Sequence, residues 1–94
     1  MNVPSPATDH ARRFGGVDRL YGTGALERLA QAHVCVIGLG GVGSWLVEAL
    51  ARCGIGQLTL IDMDHIAESN INRQVMALDS SLGASKVLAM RQRI

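Results

Sequence analysis

Val34-Cys35-Val36-Ile37-Gly38-Leu39-Gly40-Gly41-Val42-Gly43-Ser44-Trp45 decides how this chain folds. Its first four residues form an unbroken apolar run, bounded by His33 and a glycine cluster. Such a run reads as a short strand buried on both faces, the kind found in parallel sheets. Gly38, Gly40 and Gly43 then fit G-x-G-x-x-G, placed between a strand and a helix as that pattern requires. The helix is expected from about Gly41 to Cys53, with Val42, Trp45, Leu46, Ala49, Leu50 and Cys53 on its apolar face. Gly54 supplies its stop.

Outward from this core, Leu58 to Ile61 reads as a second strand ending at Asp62. Strand, turn, helix and strand make a βαβ unit with an expected right-handed crossover. The fold class is therefore α/β, a Rossmann-like βαβ nucleotide-binding unit with a short N-terminal helix. Residues 63–80 are polar and mixed, with one helical turn expected near Asn72. A last helix is expected from Ser81 or Gly83 to the end. Toward the N-terminus, Thr23 is positioned to cap a short helix through about Ala32, and Arg12 to Gly22 reads as irregular. Residues 1–11, which hold Pro4 and Pro6, read as a flexible tail. The expected division is thus a tail at 1–11 and the N-terminal part of a nucleotide-binding domain at 12–94. Two strands fall short of a doubly wound sheet, so the unit is read as truncated before its sheet is complete.

Composition narrows the function. The 94 residues carry a formal charge of +1 and are 48% hydrophobic, with Phe14, Tyr21 and Trp45 as the aromatic residues. The core must be largely aliphatic. The near-zero charge argues against a strong electrostatic nucleic-acid footprint. No apolar run is long enough to span a membrane, and the start of the chain lacks a signal-peptide core. A cytoplasmic protein is expected. Cys35 and Cys53 form no C-x-x-C pair and are expected to be small buried residues. No residue is assigned to a metal.

The chemistry is concentrated in four places. Gly38, Gly40, Gly41 and Gly43 let the backbone approach a phosphate, and the helix N-terminus offers unpaired N–H groups to the anion. Asp62 closes the second strand, where a carboxylate takes the two ribose hydroxyls. Asp64 reads either as an aid to the ribose or a cation, or as a solvated acid. Asn70-Ile71-Asn72-Arg73-Gln74 then has no purpose in a dinucleotide-binding protein. The Arg73 fork matches phosphate oxygens, Asn70 and Gln74 add neutral donors, and Lys86 brings a further charge. Together Arg73 and Lys86 suit stabilisation of charge during nucleotidyl transfer. Read without context, the same two side chains are solvated surface residues.

In their order and spacing, the segments Gly38 to Ser44, Ile61 to Asp64, Ser69 to Gln74 and Gly83 to Lys86 resemble the E1-like ThiF/MoeB/HesA adenylating superfamily. Arg13-Phe14-Gly15-Gly16, Leu20-Tyr21-Gly22 and the motif ending at Trp45 look like its tRNA threonylcarbamoyladenosine dehydratase branch. The resemblance implies ATP with Mg²⁺, a substrate carboxylate attacking the α-phosphate, and an acyl-adenylate. In that branch the carboxylate is the threonylcarbamoyl group on adenosine-37 of tRNA, which cyclises with net loss of water. It further implies contacts of Gly41 with the nucleotide, Asp62 with the ribose, and Asn70, Arg73 and Lys86 with phosphates, with Gln74 in support. A homodimer is implied, and in other branches a ubiquitin-like sulfur-carrier protein is the partner. Two departures stand out. The family's second N-terminal arginine falls at Gly16, leaving Arg13 or Arg19 as its substitute. The magnesium-binding Asp is expected beyond Ile94. Two other readings compete: an NAD-binding dehydrogenase fragment, and a non-catalytic remnant that depends on a partner.

Overall fold

The computed structural model describes residues 9–94. Most of the expected tail, with Pro4 and Pro6, lies outside the described residues. The elements run α1 (His10–Tyr21), α2 (Ala25–Gln31), β1 (His33–Ile37), α3 (Gly43–Arg52), β2 (Gln57–Ile61) and α4 (Lys86–Arg93). Single 3₁₀ turns lie at Glu68–Asn70 and Asp79–Ser81.

The two strands pair in parallel, from His33 opposite Gln57 to Ile37 opposite Ile61. The Gly38 amide extends this ladder by donating to the Ile61 carbonyl at 2.8 Å. The parallel strand–helix–strand unit is as expected. One face of the sheet packs into a core of Val36, Leu39, Val47, Ile66, Val75, Met76, Ala77 and Met90. That core is free of aromatic side chains, as the composition implies. The expectation that β1 is buried on both faces is corrected: Cys35 and Ile37 are exposed, as are Thr59 and Ile61 on β2. Only one face is covered by α3 and the chain beyond β2. Cys35 is accordingly not the buried residue expected, and Cys53 is half-buried.

Arg12 to Gly22 is helical rather than irregular. The Asp9 carboxylate caps α1 by accepting from the Arg12 amide at 3.0 Å, and Gly22, at φ 100°, ends it. Glycine costs about 1 kcal/mol in a helix interior, so Gly15 and Gly16 hid this helix from a propensity reading. Thr23 is not the cap of α2. Gly24 occupies that position, and Asp18 from α1 accepts from the Leu26 amide at 2.8 Å.

The buried side of α3 also differs from the expected stripe. Ser44, Val47 and Glu48 are buried, whereas Val42, Trp45 and Leu46 are exposed. Two polar residues can face inward because both are satisfied. The Ser44 hydroxyl donates to the Gly40 carbonyl at 2.6 Å. Glu48 takes Arg52 Nε at 2.9 Å, and Arg93 Nε and Nη2 at 2.9 and 3.1 Å, which ties α3 to α4. The helix expected from Ser81 or Gly83 starts later, at Lys86, with Ser85 as its cap.

Candidate functional site

The glycine turn is shaped by two close approaches. A side chain on Gly43 would place its Cβ 1.8 Å from the Gly38 carbonyl oxygen, so only glycine lets α3 begin so near the strand end. Gly38 itself sits at φ 92°, in the left-handed region. Open space lies before Gly40. Among the described residues the amides of Gly40, Gly41, Val42 and Gly43 find no acceptor. Four donors therefore gather where the helix dipole is positive.

Asp62 reaches this turn from the end of β2. Its Oδ2 accepts from the Leu39 amide at 2.7 Å, and its Oδ1 from the Asp64 amide at 2.8 Å. Each oxygen keeps a further lone pair for a ligand. Burial, the largest influence, would raise the carboxyl pKa. The Leu39 and Asp64 hydrogen bonds and the Lys86 charge outweigh it and hold the group below the usual aspartate range. Asp62 is thus an anion and an acceptor.

Lys86 comes from the first turn of α4. A short antiparallel contact pairs His65 with Ser85, and the Lys86 amide donates to the Asp64 carbonyl at 3.1 Å. The Lys86 side chain is buried, with Nζ 3.9 Å from Asp64 Oδ2. It is therefore not the solvated surface lysine of the context-free reading. Asp64 is exposed, and its carboxylate is the long ionic contact of Lys86.

The Asn70–Gln74 segment wraps the start of α3. Asn70 is buried, and its Oδ1 accepts from the Ala67 amide at 2.8 Å, leaving Nδ2 without an acceptor among the described residues. Arg73 lies over Gly41, its Cγ and Cδ each 3.5 Å from where a Cβ would stand. Arg73 Nη1 donates to the Ser69 carbonyl at 2.9 Å and to Asn72 Oδ1 at 3.0 Å. Its Nε and Nη2 have no partner among the described residues, so one edge of the fork stays available. Gln74 is buried, and its Oε1 has no hydrogen-bond partner among the described residues. A cavity of about 370 Å³ lined by Arg13, Glu48, Arg52 and Arg93 lies away from this rim, at the far end of α3.

A family model described as the ThiF family matches residues 12–94. The chain belongs to the ThiF family. The tRNA threonylcarbamoyladenosine dehydratase of Haemophilus influenzae is 58% identical over 94 residues, covering 100% of this chain and 36% of that protein. The crystal structure of the Escherichia coli tRNA N6-threonylcarbamoyladenosine dehydratase in complex with AMP matches with a TM-score of 0.87 and 53% identity, over 99% of this chain and 37% of that one. The same enzyme in complex with ATP matches at a TM-score of 0.86, with 53% identity over 98% of this chain and 37% of that one. The chain therefore spans little more than a third of the length of these relatives. The Rossmann-like fold and the family resemblance read from the sequence both hold.

The structure brings one further residue to this site. Trp45 Nε1 donates to the Arg73 carbonyl at 2.7 Å. Its position two residues beyond the glycine cluster is legible, but the periodicity of the helix assigns it to the apolar stripe.

Proposed function

We propose that this chain forms the ATP-binding part of an enzyme that adenylates the threonylcarbamoyl carboxylate on adenosine-37 of tRNA, leading to its cyclising dehydration. The 58% identity to a tRNA threonylcarbamoyladenosine dehydratase along the whole chain carries this reading. The site chemistry supports it. The glycine-turn amides face an anion, Asp62 accepts from the ribose hydroxyls, and Arg73 and Lys86 supply the positive charge that a triphosphate requires. Attack of the substrate carboxylate on the α-phosphorus expels pyrophosphate and gives the acyl-adenylate. Ring closure on the acyl carbon then releases AMP. Arg73 and Lys86 neutralise charge as it develops on the phosphate oxygens, and Asn70 Nδ2 adds a neutral donor.

Magnesium supplies further shielding of the phosphates in such chemistry. Among the described residues there is no cluster of three His, Cys, Asp or Glu side chains for a metal. A magnesium-binding carboxylate beyond Ile94, which the family resemblance implies, is part of the proposal, as are tRNA as substrate, a homodimer and a cytoplasmic setting.

A second reading, activation of a ubiquitin-like sulfur carrier, is favoured by one comparison. The molybdopterin-synthase adenylyltransferase of Salmonella typhimurium is 43% identical over 68 residues, or 72% of this chain and 27% of that protein. The dehydrogenase reading leaves the Asn70–Gln74 cluster without a role. The deciding experiment follows pyrophosphate release by the full-length protein. Threonylcarbamoyl-modified tRNA should trigger release and a sulfur-carrier protein should not. Arg73→Ala should lower the rate about 100-fold or more while the circular dichroism spectrum stays unchanged. Unaltered release would refute the assignment of Arg73.

A further inference from the structure

Arg73 is useful to a phosphate only if its fork is held in place, and its surroundings show how. The side chain is supported at two points, Gly41 beneath its methylenes and the Ser69–Asn72 pair at Nη1. Its backbone is held by a third. The Arg73 carbonyl accepts from the Trp45 indole at 2.7 Å and has no other partner among the described residues. This bond joins residues 28 apart in sequence, one on α3 and one on the loop after β2.

Packing alone does not fix where Trp45 sits. It is 52% exposed, beside Val42 at 83% and Leu46 at 46%. Its covered half packs without direction, whereas its indole N–H makes one directed bond, to the Arg73 carbonyl. We propose that Trp45 is a positioning residue for Arg73. Its indole fixes the Arg73 backbone relative to the glycine turn, so that the unpartnered Nε–Nη2 edge is presented to nucleotide phosphates. The inference rests on the nucleotide-site reading above. Trp45 has no hydrogen bond to Asp62, so its contribution falls on the phosphates and not on the ribose.

The test compares ATP with adenosine by calorimetry on the full-length protein. One neutral hydrogen bond corresponds to about a three- to tenfold change in affinity. Trp45→Phe keeps an apolar ring and removes the donor. It should raise the Kd for ATP by about that factor and leave the Kd for adenosine unchanged. In an Arg73→Ala background the same substitution should have no effect on ATP. Equal weakening of both ligands, no weakening, or a loss that persists without Arg73 overturns the proposal. Should Trp45→Phe fail to fold, the unmutated protein still decides. Excited at the indole band, Trp45 emission should change with ATP but not with adenosine, and Arg73→Ala should remove the ATP response. In a full-length protein with further tryptophans, those are first replaced by Phe. Emission that ignores ATP overturns the proposal. Arg73→Ala that binds ATP as well as the unmutated protein removes the phosphate reading itself, a failure seen without any change at Trp45.

Discussion

Gly43 has no room for even one methyl group. Its Cβ would stand 1.8 Å from a backbone oxygen, and neither the strand end nor the helix start is a flexible side chain that can yield. Gly43→Ala is therefore expected to cost about 2–3 kcal/mol, seen as a lower midpoint in urea. Gly40→Ala meets open space and should leave that midpoint nearly unchanged while weakening ATP, because its methyl group would stand where the phosphate approaches. At this scale the sequence was informative wherever a residue has one chemical use. Asp62 at a strand end and glycines at a strand-to-helix turn could be read without coordinates. The indole bond of Trp45 and the unpartnered Oε1 of Gln74 could not, because both depend on a loop whose path no local pattern encodes.

The helices show which rules were overridden by contacts distant in sequence. α2 begins at a glycine, and its cap comes from Asp18 on the preceding helix. Asp18→Ala should cost about 1 kcal/mol, measured by thermal unfolding, and Thr23→Ala should cost far less. A local reading chose Thr23 because it could not see the preceding helix folding back. On α3 the inward side carries Ser44 and Glu48, which hydropathy assigns to water. Their partners, the Gly40 carbonyl and the two arginines, remove the penalty of burial. The strands, by contrast, were found within one residue of their observed bounds, since an apolar run between turn residues has few alternatives.

For the molecule as a whole, two carboxyls link stability to pH. Hydrogen bonding by Arg93, foremost, and by Arg52 holds Glu48 low in spite of its burial, and Asp62 is likewise depressed. A depressed folded-state pKa gives stability that is complete above the unfolded value and is lost as pH falls through the folded one. With unfolded values of 4.5 and 3.8, the loss is expected below that range. Acid titration followed by circular dichroism should show it. Glu48→Gln should cost roughly 1–2 kcal/mol at neutral pH and flatten the acid limb. Asp62 contributes independently, so some acid dependence should survive that substitution.

The open face of the sheet carries Cys35 on β1, while Cys53 is half-buried after α3. That difference makes the protein its own chemical footprint. A small alkylating reagent should mark Cys35 first, and peptide mass spectrometry can time the two thiols separately. Whatever settles on that face, whether more of the same polypeptide or a second molecule, would slow the first reaction and leave the second as an internal clock.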